Sequence, residues 1–246
     1  MTLAETVFQI GVMEILTLFL SAIAIGVFAI VFGGTLFLSL PLFQILFPEL
    51  AIATIIGTVK FGSVIRNAKA VYDDRTNVER STLILLIPLG LGSIAGAVFL
   101  TEMTMVAVPI ILVTGLLLSE FANRFTPTPK FLFPTAVLIG VYGGIFGAGI
   151  MLLLLALLQL RFNNSANARL NALTLEMCVS LIAVAVYAYA GNIDWAIAIV
   201  WATGGYFGGM LGGRLNQRIR KLSKPQQQWV VRTSFVLALS VAVWKL

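Results

Sequence analysis

Three observations predict an all-α polytopic membrane protein built as two inverted repeats of about five helical elements each. First, 59% of the 246 residues are hydrophobic and only 11% are charged, against about 25% charged in a soluble domain. One water-soluble core of this length could not hide so much apolar surface, whereas a bilayer accepts it. Second, the order of apolar runs, breaks and polar links before residue 120 recurs after residue 130. Third, the basic residues cluster in a few short segments, as they do in the cytoplasmic loops of membrane proteins. The expected architecture is eight full spans plus two short broken segments.

The first apolar run, residues 7–47, is too long for one crossing, because about 20 residues span the hydrocarbon. Gly33-Gly34 and Pro41 interrupt it, giving a helix to Phe32, a break, and a short segment to Phe47. A third element, residues 51–65, leads into a polar stretch, 66–80. Elements at 82–100 and 104–119 follow, separated by a tight turn at Glu102. The segment 120–130, with Pro127 and Pro129, divides the chain near its middle. Beyond it comes a helix over 131–146, a break at Gly147-Ala148-Gly149 and a short apolar stretch to Leu160. A polar link at 161–169 precedes a long helix to Ala190, and a turn over 191–194 opens a helix from Trp195 to Gly213. A basic segment, 214–227, and a final helix to Trp244 complete the second half. The expected organisation is a first membrane repeat (1–119), a cytoplasmic linker (120–130) and a second membrane repeat (131–246).

Displacing the chain against itself by 115 positions makes the duplication explicit. Gly34 then meets Gly149, Gln44 meets Gln159, Tyr72 meets Tyr187, and Asn77-Val78-Glu79 meets Asn192-Ile193-Asp194. One further position brings Gly92 onto Gly208 and Gly96 onto Gly212. Aliphatic matches between Leu-rich stretches carry little weight; the Gly, Gln, Tyr and Asn pairs carry the argument. Five elements per half is an odd number, so the halves should have opposite orientation. The charges test this independently. The segments 66–80, 120–130, 161–169 and 214–227 hold 13 of the 16 Lys and Arg, while the turns at Pro48-Glu49, Glu102 and Asp194 hold none. With the basic segments cytoplasmic, the chain threads without conflict and both termini lie outside. Inverted repeats of this kind are typical of secondary transporters.

The formal charge of +6 reads as membrane topology and not as a nucleic-acid footprint, so no nucleic-acid partner is expected. Cys178 is the sole cysteine, which excludes a disulfide framework. The first residues carry Glu5 and no basic region, so no cleaved signal peptide is expected.

Two glycine-rich runs carry a resemblance. Phe32-Gly33-Gly34-Thr35-Leu36-Phe37-Leu38-Ser39-Leu40-Pro41-Leu42 and Tyr142-Gly143-Gly144-Ile145-Phe146-Gly147-Ala148-Gly149-Ile150 look like the two signatures of the sulfite exporter TauE/SafE family. Length, segment order and duplication resemble that family over nearly the whole chain. The resemblance implies an inner-membrane permease moving small anions, often sulfite, sulfonates or related organic acids. The first run is reduced to Gly33-Gly34-Thr35, the second continues as Ile150-Met151, and Pro41 has Ala156 as its counterpart. These departures leave the fold reading intact and the substrate open.

Candidate site residues follow from the physics of the breaks. Backbone at membrane depth must be paired unless it faces protein or water. A broken helix presents free N–H groups, with roughly half a positive charge, at the start of its second part. That end suits a sulfonate or carboxylate oxygen. Gly33, Gly34 and Thr35 in one half, and Gly147 and Gly149 in the other, mark the two breaks; close helix packing is the plainer use of such glycines. Lys60 lies inside an apolar helix, where a charge costs roughly 2.5–3.5 kcal/mol on the lenient insertion scale. Glu176 is one position from its repeat equivalent. Lys60 would draw in the anion and Glu176 would couple transport to protons; a Lys60–Glu176 ion pair, or Lys60 snorkelling towards Arg66 and Lys69, is the structural alternative. Gln44 and Gln159 recur near the ends of the short segments, as ligand donors or as caps. Thr54, Thr58, Asn171 and Thr174 offer neutral groups that more often bond their own backbone. Gly92-x-x-x-Gly96 and Gly208-x-x-x-Gly212 read as packing faces, within the chain or across a homodimer.

An enzyme is not expected. The sequence has no histidine, which removes Ser-His, zinc-hydrolase and His-ligated haem chemistry, and Asp73, Asp74 and Asp194 all fall in predicted loops. Neither metal nor cofactor is expected; the expected partners are a small anion and the bilayer. An anion channel or a structural membrane subunit stays open as the alternative.

Overall fold

The computed structural model describes residues 11–32, 35–73, 75, 78–102, 131–147, 149–159 and 165–219. The expected span at 104–119, the linker 120–130, the last helix beyond residue 227, Gly33, Gly34 and Ala148 lie outside the described residues. Among those described, every regular element is helical: α1 (Val12–Phe32), α2 (Thr35–Leu46), α3 (Ile52–Asp73), a 3-10 helix (Arg80–Leu85), α4 (Leu86–Thr101), α5 (Leu132–Ile145), α6 (Ile150–Gln159), α7 (Ser165–Tyr189) and α8 (Trp195–Ile219).

Among the described residues, four stretches are long and apolar enough to cross a membrane: Val12–Ile30, Arg80–Thr101, Leu170–Tyr189 and Trp195–Leu215. Their outward faces agree with a lipid surrounding. On α4, Ile87, Leu91, Ile94 and Val98 are all exposed, an apolar stripe at helical spacing. In water such a continuous patch would mark an interface or an aggregation hazard.

Local chemistry sets the helix ends. Asp194 caps α8, its Oδ1 accepting the Ile197 N–H at 3.1 Å. At the end of α7, the N–H of Asn192 bonds the Tyr187 carbonyl at 2.8 Å and that of Gly191 bonds Ala188 at 3.1 Å, with Gly191 at φ +73°. This is the Schellman arrangement, in which glycine supplies the left-handed residue. Pro88 and Pro134 fall in the first turns of α4 and α5, where their missing N–H removes no helical bond.

The helices pack by burying glycines against backbone. A Cβ at Gly92 or Gly96 would fall on the Val137 or Val141 carbonyl, so α4 and α5 touch backbone to backbone. Gly208 and Gly212 likewise face the carbonyls of Ile23 and Val27, joining α8 to α1. The two Gly-x-x-x-Gly faces therefore pack within the chain, each on a helix from the other half. At the centre α3 lies against α7, with Gly57 seated beneath Tyr187 and the Asn192 carbonyl.

Three boundaries differ from the sequence reading. Helix α3 continues through Arg66 to Asp73, where a polar loop was expected from residue 66. The polar residues there form a buried stripe on a continuous helix: Lys60, Ser63, Arg66 and Asn67 are all buried. Arg169 lies inside α7 and Arg214 inside α8, because a basic residue ends the apolar pattern of a helix without ending its hydrogen bonding.

Candidate functional site

The break between α5 and α6 is the place where buried polar groups converge. Gly147 and Gly149 both have positive φ, +73° and +75°, a conformation that side-chain-bearing residues adopt only with strain. The Gly147 N–H bonds the Tyr142 carbonyl at 2.9 Å, as does that of Phe146. The Gly143 carbonyl, which a continued helix would pair with Gly147, is thereby released. Lys60 takes it: its ammonium, 3% exposed, donates to the Gly143 carbonyl. The Tyr187 hydroxyl donates to the Gly144 carbonyl at 2.8 Å and lies 3.3 Å from that of Ile145. Two side chains, from α3 and α7, thus serve the three carbonyls that end α5. These carbonyls carry the negative end of the helix dipole, so Lys60 is placed with its charge compensated. Helix α6 opens next to the same point, with Ile150 N–H bonded to the Gly147 carbonyl at 3.2 Å. A Cβ built on Gly147 would lie 3.0 Å from the Lys60 Nζ, so the ammonium sits against the break itself.

Further along α3, the Arg66 guanidinium approaches the Glu176 carboxylate of α7 at 3.9 Å. Arg66 also donates its Nε–H to Asn67 Oδ1 at 3.1 Å. Glu176 interacts electrostatically with both Lys60 and Arg66. The structure therefore gives Glu176 an Arg66 contact where the sequence paired it with Lys60. Among the described residues, the carboxylate of Glu176 thus interacts with two cations of α3, one at each end of the buried polar stripe.

The other candidates divide by place. Gln44 is exposed on α2. Thr35 opens α2 and Gln159 ends α6, and their side chains lie outside the described residues, as do Gly33 and Gly34. Thr174 bonds back to the Leu170 carbonyl at 3.0 Å. Thr58 accepts the Asp194 N–H at 3.2 Å, and Asn171 accepts the Glu79 N–H at 2.9 Å. These last two are reciprocal: each acidic residue opening a helix docks on a polar side chain of the opposite half.

Sequence reasoning missed Tyr187, Arg66 and Asn67 as site residues. Tyr187 entered only as a repeat match to Tyr72, which is exposed and stacks with Arg75 at 4.3 Å. The signal for Asn67 was the spacing of Lys60, Ser63 and Asn67 at i, i+3 and i+7, one face of a helix. No group of three or more potential metal ligands occurs among the described residues.

The sequence profile of the sulfite exporter TauE/SafE family matches residues 18–246, and the chain belongs to that family. Comparisons with curated proteins and with solved structures return no significant match. The family is one of membrane transporters, so the chain is a membrane transport protein.

Proposed function

We propose that this TauE/SafE family member is a secondary transporter of small anions, sulfite, a sulfonate or a related organic acid, driven by an ion gradient. The observation that carries the reading is the α5–α6 break, where positive-φ glycines open the backbone beside a buried lysine from the other half of the chain. The anion would meet the N-terminal end of α6, with its partial positive charge, and the Lys60 ammonium together. Glu176 would carry the coupling proton.

The same reading assigns two inverted repeats, residues 1–119 and 131–246, joined by a cytoplasmic linker in the cell inner membrane, with both termini outside. It is supported by the exchanged packing, in which α4 of the first half sits on α5 of the second and α8 of the second on α1 of the first. The reciprocal Thr58–Asp194 and Asn171–Glu79 contacts support it too. Such a duplicated bundle moves a substrate by rocking one half against the other around a fixed midplane site.

A thermal-shift screen of sulfite, thiosulfate, methanesulfonate and small carboxylates on the purified protein tests the substrate class. Ligand that binds the folded state raises its stability by mass action, so one class of anion should raise the melting temperature selectively. No shift with any of them would reject the reading.

A further inference from the structure

We propose that Arg66 and Asn67 form an anion-binding subsite for a sulfonate or carboxylate headgroup, and that the Glu176 carboxylate fills it when substrate is away. The inference rests on the transport reading above and deepens it. Asn67 is 0% exposed. Its Oδ1 accepts the Arg66 Nε–H at 3.1 Å, which fixes the amide orientation, because the flipped amide would set its NH2 against the guanidinium N–H. The Asn67 Nδ2 is then left as a buried donor without a hydrogen-bond partner. Buried donors are nearly always paired, and an exception calls for a ligand or ordered water. Arg66 lies six positions beyond Lys60, about 9 Å along the same helix, so the subsite is distinct from the break.

Room for the arginine comes from Gly209 of α8, where a Cβ would lie 2.9 Å from the Arg66 Cγ. Glu176 stands at 3.9 Å from the guanidinium, a charge contact longer than a charge-assisted hydrogen bond of about 2.7–2.9 Å. A free oxyanion offers the same acceptor oxygens without the tether to α7, so it is free to accept from the guanidinium and from the unpaired Asn67 Nδ2–H of the neighbouring residue.

Glu176 and substrate then compete for one place. Protonating Glu176 removes the competitor while adding one positive charge, and the arriving anion cancels that charge. Proton and anion are therefore favoured together. Among the described residues, the charged groups facing Glu176 are Lys60 and Arg66 of α3, with Lys69 further along that helix. Of the other helices packed on α7, α5 contributes Tyr142, α4 and α6 contain no ionisable residue, and Arg80 of the 3-10 helix is exposed. Arg169, Cys178, Tyr187 and Tyr189 share its own helix.

The test is calorimetric binding of methanesulfonate, sulfite and acetate to the purified full-length chain at about pH 5.5 and about pH 8. Methanesulfonate stays anionic across that range, so its pH dependence reports the protein. Wild type should bind more tightly at the lower pH. Glu176→Gln should bind equally at both, and at least ~10-fold more tightly than wild type at the higher pH, while Asn67→Leu should weaken binding ~10-fold. Glu176→Gln binding no more tightly than wild type, or an unchanged Kd in Asn67→Leu, overturns the subsite while leaving transport standing. Failure of wild type to bind any of the three overturns both readings.

Discussion

Lys60 of α3 donates a hydrogen bond to the backbone carbonyl of Gly143, 83 positions away on α5. A buried ammonium thereby closes the end of a broken helix. The charge that sequence alone assigned to anion capture also holds the fold, so the two roles should fail together. Lys60→Met keeps the apolar stem and removes donor and charge. It should abolish anion binding and destabilise the protein by about 1–3 kcal/mol, the usual loss for an orphaned buried acceptor. Melting temperature and Kd measured on the same preparation check this; an unchanged melting temperature would show that the contact with Gly143 holds nothing.

Tyr187→Phe deletes only the hydroxyl that caps Gly144. The expected loss is about 1–2 kcal/mol, with faster amide hydrogen exchange over 145–153. Exchange that speeds up uniformly along the chain would argue against a local role.

The positive φ of Gly147 and Gly191 is the same, +73°, but their surroundings differ. A Cβ on Gly147 meets the Lys60 ammonium and the Gly143 carbonyl, whereas Gly191 has open space. Gly191→Ala should therefore cost about 1–2 kcal/mol, the conformational penalty alone. Gly147→Ala should cost more and should impair transport. Equal melting temperatures for the two variants would contradict this account of the break.

Gly96 and Gly212 each face carbonyl oxygens of a neighbouring helix, at Val141 and Val27, while Gly213 meets nothing within 4 Å. Gly96→Ala and Gly212→Ala should both separate helices and lower the yield of folded protein. Gly213→Ala should be neutral or stabilise by up to about 1 kcal/mol through helix propensity. Monodispersity after detergent extraction provides the comparison.

The described helices and the Gly147–Gly149 break were legible because apolar length and glycine position are properties of the chain itself. That Lys60 needs a polar partner was legible, since a lone charge in an apolar run must find one; that the partner is the Gly143 carbonyl at the α5–α6 break was not. Arg66 was not. Arg66, Asn67 and Lys69 lower local hydropathy as a solvated loop would, and composition cannot tell a polar stripe facing protein from one facing water. The identity of Glu176's partner was hidden by the same error, since Arg66 had been placed in the loop. Tyr187 lies in an apolar helix where its hydroxyl carries no pattern; only the neighbouring broken end, supplied by tertiary packing, gives that group a purpose.

Anion transport by this chain is tested by uptake of labelled sulfite or methanesulfonate into proteoliposomes carrying the purified protein, under an imposed proton gradient. A gradient-driven carrier gives flux that saturates with anion concentration, follows the gradient, and disappears in Lys60→Met. Flux that rises linearly without saturation would indicate a channel, and flux no greater than that of empty liposomes would contradict transport of these anions.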